Sequence, residues 1–79
     1  MLVSVMNMYL RLRDLREDHD LTQKELSEAI NVTQRSYSYY ERGDHMIPLE
    51  VLCRLAEYYH TSVDYLLGRT SNPKPYPPK

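Results

Sequence analysis

Five polar side chains recur on one side of a short segment, and their types are suited to binding another molecule. They are Gln34, Arg35, Ser38, Tyr39 and Arg42. At about 100° per residue, a helix over residues 34–42 would place all five on one face. A glutamine amide can bond adenine bidentately, an arginine can do the same for guanine, and hydroxyls can bond bases or phosphates. This chemistry suits the major groove of DNA, although taken alone the pattern is more typical of an ordinary solvated helix face.

Two short helices joined by a tight turn must position this face. Thr22 and Glu25 have the spacing of a capping box, which predicts the start of the first helix. Leu26, Ala29 and Ile30 then recur at helical spacing and predict one buried stripe.

The second helix has its own start and stop signals. Asn31 tolerates the left-handed conformation that ends many helices, Thr33 can cap the next helix, and Gly43 can close it. Tyr37 and Tyr40 fall together on the side opposite the polar face. We expect both tyrosines to point into the core.

The amino end predicts a helix from Ser4 or Asn7 to Asp18, along which apolar residues recur at helical spacing: Val5, Met8, Leu12 and Leu15. Residues 1–6 read as an extension, for which fraying is the default and a partner contact is the alternative.

A fourth helix is predicted to begin at Pro48. Its expected core stripe consists of Leu49, Leu52, Cys53, Ala56 and Tyr59. Val51, Leu55 and Tyr58 form a second apolar edge, which either widens the buried face or provides a dimer contact.

The carboxyl end predicts one short helix and a tail. Ser62 can cap a fifth helix that Gly68 closes. Residues 69–79 include four prolines in the last seven positions, so they are expected to be extended or disordered.

Composition narrows the classes of function. Seventy-nine residues allow one domain, and the formal charge of −1 is unusual for a protein that binds phosphates. A lone cysteine cannot form an internal disulfide, which suits a cytoplasmic location, and Cys53 reads as a small buried hydrophobe. No stretch is long enough to span a membrane.

Enzymatic chemistry finds no support in the residue pattern. His19, His45 and His60 lack the spacing of a metal site, and two glycines in all exclude a glycine-rich phosphate loop. No nucleophile has an evident base beside it. We therefore expect no catalytic residue, no metal and no cofactor.

The segment 21–43 resembles the DNA-binding domain of Cro and phage-repressor proteins, the xenobiotic-response-element (XRE) family of helix-turn-helix regulators. The stretches LTQKELSEAI and NVTQRSYSYYERG carry the resemblance, and IPLEVLCRLAEYYHTSVDYLLGRT is similar to that family's last two helices. The resemblance implies an all-α, compact five-helix, lambda-repressor-like domain over residues 7–68. Residues 1–6 would then be an amino-terminal extension and 69–79 a Pro-rich flexible tail.

The resemblance also implies roles for individual residues. The positions that face bases are Gln34, Arg35, Ser38 and Tyr39. The positions that contact phosphates are Gln23, Thr33, Ser36 and Arg42. Arg16 and Glu41 match a structural ion pair that fixes the recognition helix against the first helix.

The function implied is a sequence-specific transcriptional regulator, a repressor, that binds double-stranded DNA. It would bind a palindromic operator as a homodimer, formed either in solution or only on DNA. The alternative is a protein-interaction module of the same fold, comparable to an antitoxin or an anti-repressor. The formal charge, the apolar amino end and the Pro-rich tail motivate that alternative.

Overall fold

The computed structural model describes residues 11–77, and this part of the chain contains five helices and no strand. Within it, α1 covers residues 11–18, and the other helices are α2 (Gln23–Ala29), α3 (Gln34–Arg42), α4 (Leu49–Tyr58) and α5 (Val63–Leu66). The predicted all-α architecture of five helices is therefore confirmed. The expected start of α1, with Val5 and Met8, lies outside the described residues.

A single core joins the five helices. Its buried apolar side chains are Leu12, Leu26, Ile30, Tyr37, Val51, Leu55, Ala56 and Leu66. Each helix contributes at least one of them, and burial of a large apolar side chain stabilises a fold by about 1.5–3 kcal/mol. The shared core fixes the position of α3 relative to its neighbours.

The capping box at the start of α2 is confirmed. Thr22 Oγ1 accepts a hydrogen bond from the Glu25 amide at 3.0 Å, and the Thr22 amide donates to Glu25 Oε1 at 2.9 Å. The hydrogen bond from the Thr22 backbone lowers the pKa of Glu25. Beyond α2, Asn31 adopts the left-handed conformation, with φ of 59°. The reciprocal bonds fix the start of α2, and the left-handed Asn31 turns the chain from α2 into α3.

The predicted stripe of α2 is wrong at one position. Leu26 and Ile30 are buried, but Ala29 is exposed and Ser27 is buried in its place. At 100° per residue, Ser27 falls beside the Leu26–Ile30 stripe on the side that faces the core, whereas Ala29 falls on its outer flank. The buried Ser27 hydroxyl donates to the Lys24 carbonyl at 2.9 Å, which removes most of the cost of its burial.

The helix α3 is closed at both ends by the predicted residues. Thr33 Oγ1 accepts from the Ser36 amide at 3.0 Å, and Gly43 takes the left-handed conformation with φ of 80°. Tyr37 is fully buried, as predicted. Tyr40 is half-buried against the core.

The predicted core stripe of α4 is wrong at Leu49 and Cys53. Leu49 is 71 % exposed and Cys53 is also exposed, whereas Val51 and Leu55 are buried. Leu52 and Ala56 are buried as predicted, and Tyr59 is half-buried against the core. Glu50, Arg54 and Glu57 form one charged face of this helix. At 100° per residue, Leu49 and Cys53 fall on the flank next to that face, whereas Leu52 and Leu55 fall on the opposite side.

The described part of the tail, residues 69–77, has no helix or strand. It nevertheless contacts α5, because the Tyr76 hydroxyl donates to Asp64 Oδ2 at 2.6 Å. That hydrogen bond is the main reason why the pKa of Tyr76 lies above its ordinary value. None of the helices described is long and apolar enough to cross a bilayer.

Candidate nucleic-acid interface

An open groove of about 460 Å³ runs along the outer face of α3. Its lining residues are Gln23, Gln34, Arg35, Ser38, Tyr39 and Arg42. All four residues predicted to face bases are among them, together with two of the four predicted to contact phosphates. The structure thus brings six of these eight side chains to one polar surface.

Thr33 and Ser36 do not line this groove. They lie at the start of α3, where the Thr33 hydroxyl donates to Ser36 Oγ at 2.9 Å while it accepts from the Ser36 amide. Their first role in the fold is therefore to cap α3. A phosphate contact at these two positions stays a prediction.

Tyr39 is the centre of a small cluster on the outer face. Arg35 Nε donates to Tyr39 Oη at 3.1 Å, and the Arg35 Cζ lies 5.8 Å from the centroid of the Tyr39 ring. Arg42 Cζ lies 5.1 Å from the same centroid, and the centroid of the His45 ring lies 4.5 Å away. Sequence reasoning did not identify His45 as part of this surface, because its position depends on the path of the loop after Gly43.

The two guanidinium groups of this face differ in their electrostatic partners. Arg42 Nη2 lies 3.0 Å from Asp44 Oδ2 in an exposed ion pair. Arg35 has no carboxylate within ion-pair distance among residues 11–77. Arg35 is consequently the group on this face whose positive charge is least compensated by the protein.

A buried ion pair holds the inner face of α3. Arg16 donates to Glu41 through two atoms, from Nε to Oε2 and from Nη2 to Oε1, both at 2.9 Å. The Arg16 and Glu41 side chains are only 14 % and 5 % exposed. Arg16 Nη1 also donates to the Leu21 carbonyl at 2.9 Å, and Gln23 Nε2 donates to Glu41 Oε1 at 3.1 Å. This network connects α1, the start of α2 and the end of α3.

The network also changes the titration of its members. Burial is the largest single influence on Glu41 and disfavours its charged form, but the hydrogen bonds from Arg16 and other neighbours, together with the positive charge of Arg16, outweigh it, so the pKa of Glu41 lies below its ordinary value. Burial is the main cause that raises the pKa of the neighbouring Tyr37, and the Glu41 charge is the second cause. At neutral pH the inner face of α3 therefore carries a carboxylate paired with a guanidinium and an uncharged phenol.

The histidines, the cysteine and the acidic residues do not form a metal site in the described part of the chain. No three such side chains between residues 11 and 77 lie in a group that could hold a metal ion. The side chains that line the α3 groove offer hydrogen-bond donors and acceptors, one aromatic ring and two guanidinium groups.

Comparison with known proteins gives matches along most of the chain. The family model described as helix-turn-helix matches residues 12–66. The regulator YobD of Bacillus subtilis is 46 % identical over 65 residues, which cover 82 % of this chain and 58 % of the relative. The phage CTXphi transcriptional repressor RstR of Vibrio cholerae is 35 % identical over 58 residues, which cover 73 % of this chain and 52 % of the relative.

A solved structure shares the fold. The crystal structure of a transcriptional regulator from Listeria innocua matches with a TM-score of 0.74 and 34 % identity, over 82 % of this chain and 61 % of the other. These relatives are named as regulators or repressors rather than as enzymes, in agreement with the expectation that the chain is not an enzyme. The chain spans about half the length of the curated relatives that it matches.

Proposed function

Because the chain belongs to the helix-turn-helix family of Cro and phage-repressor type, we propose that it is a sequence-specific DNA-binding regulator of transcription that acts as a repressor. The single observation that carries the proposal is the outer face of α3, which presents Gln34 and Arg35 to solvent. The inner face of the same helix is fixed by the ion pair between Arg16 and Glu41. A helix held rigidly on one side and polar on the other is what insertion into a major groove requires.

In this proposal α3 enters the major groove, and its outer side chains reach the edges of the bases. Gln34 would bond adenine and Arg35 would bond guanine, and each bidentate contact discriminates against a wrong base by about 1–3 kcal/mol. Ser38 and Tyr39 complete the base-facing set. The phosphate contacts are assigned to Gln23, Thr33, Ser36 and Arg42, which surround the groove or lie at the start of α3.

The formal charge of −1 limits how such a domain can bind DNA. Few neutralised phosphates give weak non-specific affinity, since release of condensed counterions is its main source. Two copies on a palindromic operator would double the specific contacts, with half-sites about 34 Å apart on one side of the duplex. We therefore propose that residues 7–68 form the DNA-binding domain of a homodimer that acts in the cytoplasm, with dimerisation either before or during DNA binding.

Selection of bound duplexes from a random DNA pool tests this function directly. The expected result is enrichment of two inverted half-sites about one helical turn apart. Titrations of the selected duplex should then show a linear fall of log K with log[salt]. The matched negative control is a shuffled duplex of the same composition. Failure to enrich any sequence, even at low salt, would exclude the proposed function.

One observation favours the alternative of a protein-interaction module. Met46 and Leu49 are 87 % and 71 % exposed, and neither lines the polar groove of α3. An apolar contact with a protein partner would depend little on salt, in contrast to a contact with several phosphates. The salt series therefore separates the two candidates, and Leu49→Ser should weaken a protein contact while leaving DNA binding unchanged.

A further inference from the structure

A hydrogen bond joins the side chains of Arg35 and Tyr39 on the outer face of α3. The two residues are one helical turn apart, and the Nε of the first donates to the Oη of the second at 3.1 Å. The Tyr39 ring also contacts Arg42, whose Cζ lies 5.1 Å from the ring centroid, and His45, whose ring centroid lies 4.5 Å from it. The hydroxyl that receives the Arg35 hydrogen bond is thus held in place by its own neighbours.

We propose that Tyr39 is a positioning residue that fixes Arg35 for end-on recognition of guanine. The inference deepens the proposed function and rests on it. It changes the role of Tyr39, because the side chain that the family resemblance places against a base acts on DNA through Arg35.

The donor pattern of arginine gives the reason. A guanidinium has five N–H donors in a rigid fork, and one of them, on Nε, is already engaged by Tyr39. The remaining donors are those of the terminal nitrogens Nη1 and Nη2, which point away from the side chain. Guanine offers two acceptors, O6 and N7, in the major groove, and the two terminal nitrogens can bond both.

Adenine does not fit this arrangement. Its major-groove edge has one acceptor, N7, and one donor, the N6 amino group, so one of the Arg35 nitrogens would face a donor. Every pair of guanidinium nitrogens presents donors only, so the mismatch with adenine holds in any orientation of Arg35. The hydrogen bond to Tyr39 restricts rotation of the guanidinium and leaves Nη1 and Nη2 as the pair available to guanine, which lowers the cost of ordering Arg35 in the guanine contact.

Charge supports the choice of Arg35 over Arg42 as the base-reading group. Arg42 is paired with Asp44, whereas no carboxylate among residues 11–77 pairs with Arg35. Arg42 still contributes to the arrangement, since its guanidinium lies against the Tyr39 ring. The outer face of α3 therefore contains one arginine that is available to a base and one that supports the aromatic ring.

A purely structural role is the competing explanation, because contacts one turn apart also stabilise helices by a few tenths of a kcal/mol. The two explanations differ in what they predict for DNA. Helix stabilisation alone would change affinity for all sequences equally. Positioning of Arg35 would change discrimination only at the base that Arg35 reads.

The test uses four proteins: wild type, Tyr39→Phe, Arg35→Ala and the double variant. The probes are the duplex recovered by selection from a random pool and its single-base variants. Tyr39→Phe keeps the ring but removes the acceptor for Arg35. We expect it to lower discrimination at the guanine read by Arg35 about threefold to tenfold, the value of one hydrogen bond, with other base positions unaffected.

The double variant decides between action through Arg35 and direct contact. In the Arg35→Ala background, Tyr39→Phe should change binding by less than about twofold, because the group that it positions is absent. An equal loss with and without Arg35 would show that Tyr39 contacts DNA itself and would overturn the inference. So would unchanged discrimination by Tyr39→Phe, or a base sensitive to Arg35→Ala that is not guanine.

The outcomes also separate this inference from the function on which it rests. If the wild type selects no duplex, the proposed function fails and the positioning role fails with it. If a duplex is selected and the Tyr39→Phe results contradict the expectation, only the positioning role fails. Thermal unfolding serves as the control for folding, and the Tm of Tyr39→Phe should stay close to that of the wild type because the hydroxyl has no partner in the core.

Discussion

The two faces of α3 differ in the range of their contacts. On the inner face, Glu41 is bound to Arg16, which is 25 residues away in the chain, and Tyr37 is fully buried. On the outer face, the contacts of Tyr39 are with residues at most six positions away, namely Arg35, Arg42 and His45. The inner contacts therefore join α3 to other helices, whereas the outer contacts only arrange side chains on one surface.

This difference indicates how stability and recognition are separated within nine residues. Residues whose partners lie on other helices should affect folding when they are replaced, because the partner is left buried and unsatisfied. Residues whose partners are local should affect binding and leave folding intact. Substitutions on each face test that separation, and their expected effects range from several kcal/mol to less than about 1 kcal/mol.

Removal of the Glu41 carboxylate should have the largest effect. Glu41→Ala leaves Arg16 as an uncompensated charge beside the core, and loss of one partner of a buried pair costs about 3–5 kcal/mol in the free energy of unfolding. Urea denaturation measures the loss. Glu41→Gln keeps the size of the side chain and should retain more stability if the alanine variant does not fold.

The chain offers a matched control for this experiment. Glu17→Ala removes a carboxylate from the exposed pair with Arg13. In this pair the Arg13 side chain is 63 % exposed and the Glu17 side chain is 52 % exposed. Exposed pairs contribute about 0–1 kcal/mol, so this variant should remain close to the wild type. Equal losses in the two variants would contradict the claim that the inner face carries the stability.

Replacement of Arg35 should weaken discrimination between bases and leave the stability of the fold nearly unchanged. Arg35→Ala is expected to reduce discrimination among single-base variants of the selected duplex by about 1–3 kcal/mol, because a bidentate base contact is lost. Its free energy of unfolding should change by less than about 0.5 kcal/mol, as is usual for exposed positions. Arg13→Ala removes the same charge from α1 and should leave discrimination unchanged. A large loss of stability in Arg35→Ala would show that the outer face also supports the fold.

Acid should weaken the inner face of α3 by protonating Glu41. The pKa of Glu41 is lowered in the folded protein, so its ion pair contributes stability above the ordinary glutamate pKa of about 4.3. That contribution is lost as the pH falls through the lower, folded-state value. Urea denaturation from pH 7 to pH 3 should show the difference in stability between wild type and Glu41→Gln shrink towards acid. A difference that does not change with pH would contradict an ionised Glu41 as the source.

The same division of local and long-range contacts explains what the sequence could predict. The capping box of Thr22 and Glu25, the cap at Thr33 and the left-handed Gly43 depend on neighbours within four residues, and all were identified. The contact of Arg16 with Glu41 joins residues far apart and was expected only because of the family resemblance. Local patterns alone contain no signal for such a pair.

Two features were beyond the sequence for other physical reasons. In α4, Leu49 and Cys53 lie on the flank between the apolar side and the charged side of the helix, so their exposure depends on how the helix is rotated against the core. The tilted contact of the His45 ring with Tyr39 depends on the path of the loop after α3. Both are set by tertiary packing, which overrides local preference.

The smallest expected effect concerns a hydroxyl on the inner face. Tyr37 is fully buried, and its phenol oxygen has no hydrogen-bond partner of ordinary geometry among residues 11–77. Tyr37→Phe removes that unpartnered group and keeps the ring in the core, so the free energy of unfolding should change by less than about 1 kcal/mol. Urea denaturation measures this change, and Tyr39→Phe, on the outer face, is the matched variant.

A loss above about 1.5 kcal/mol in Tyr37→Phe would instead show that the phenol donates to the Glu41 carboxylate, since hydrogen bonds to charged groups contribute that much. In that case the inner network would include a third donor beside Arg16 and Gln23, and the two faces of α3 would differ even more in their share of the stability.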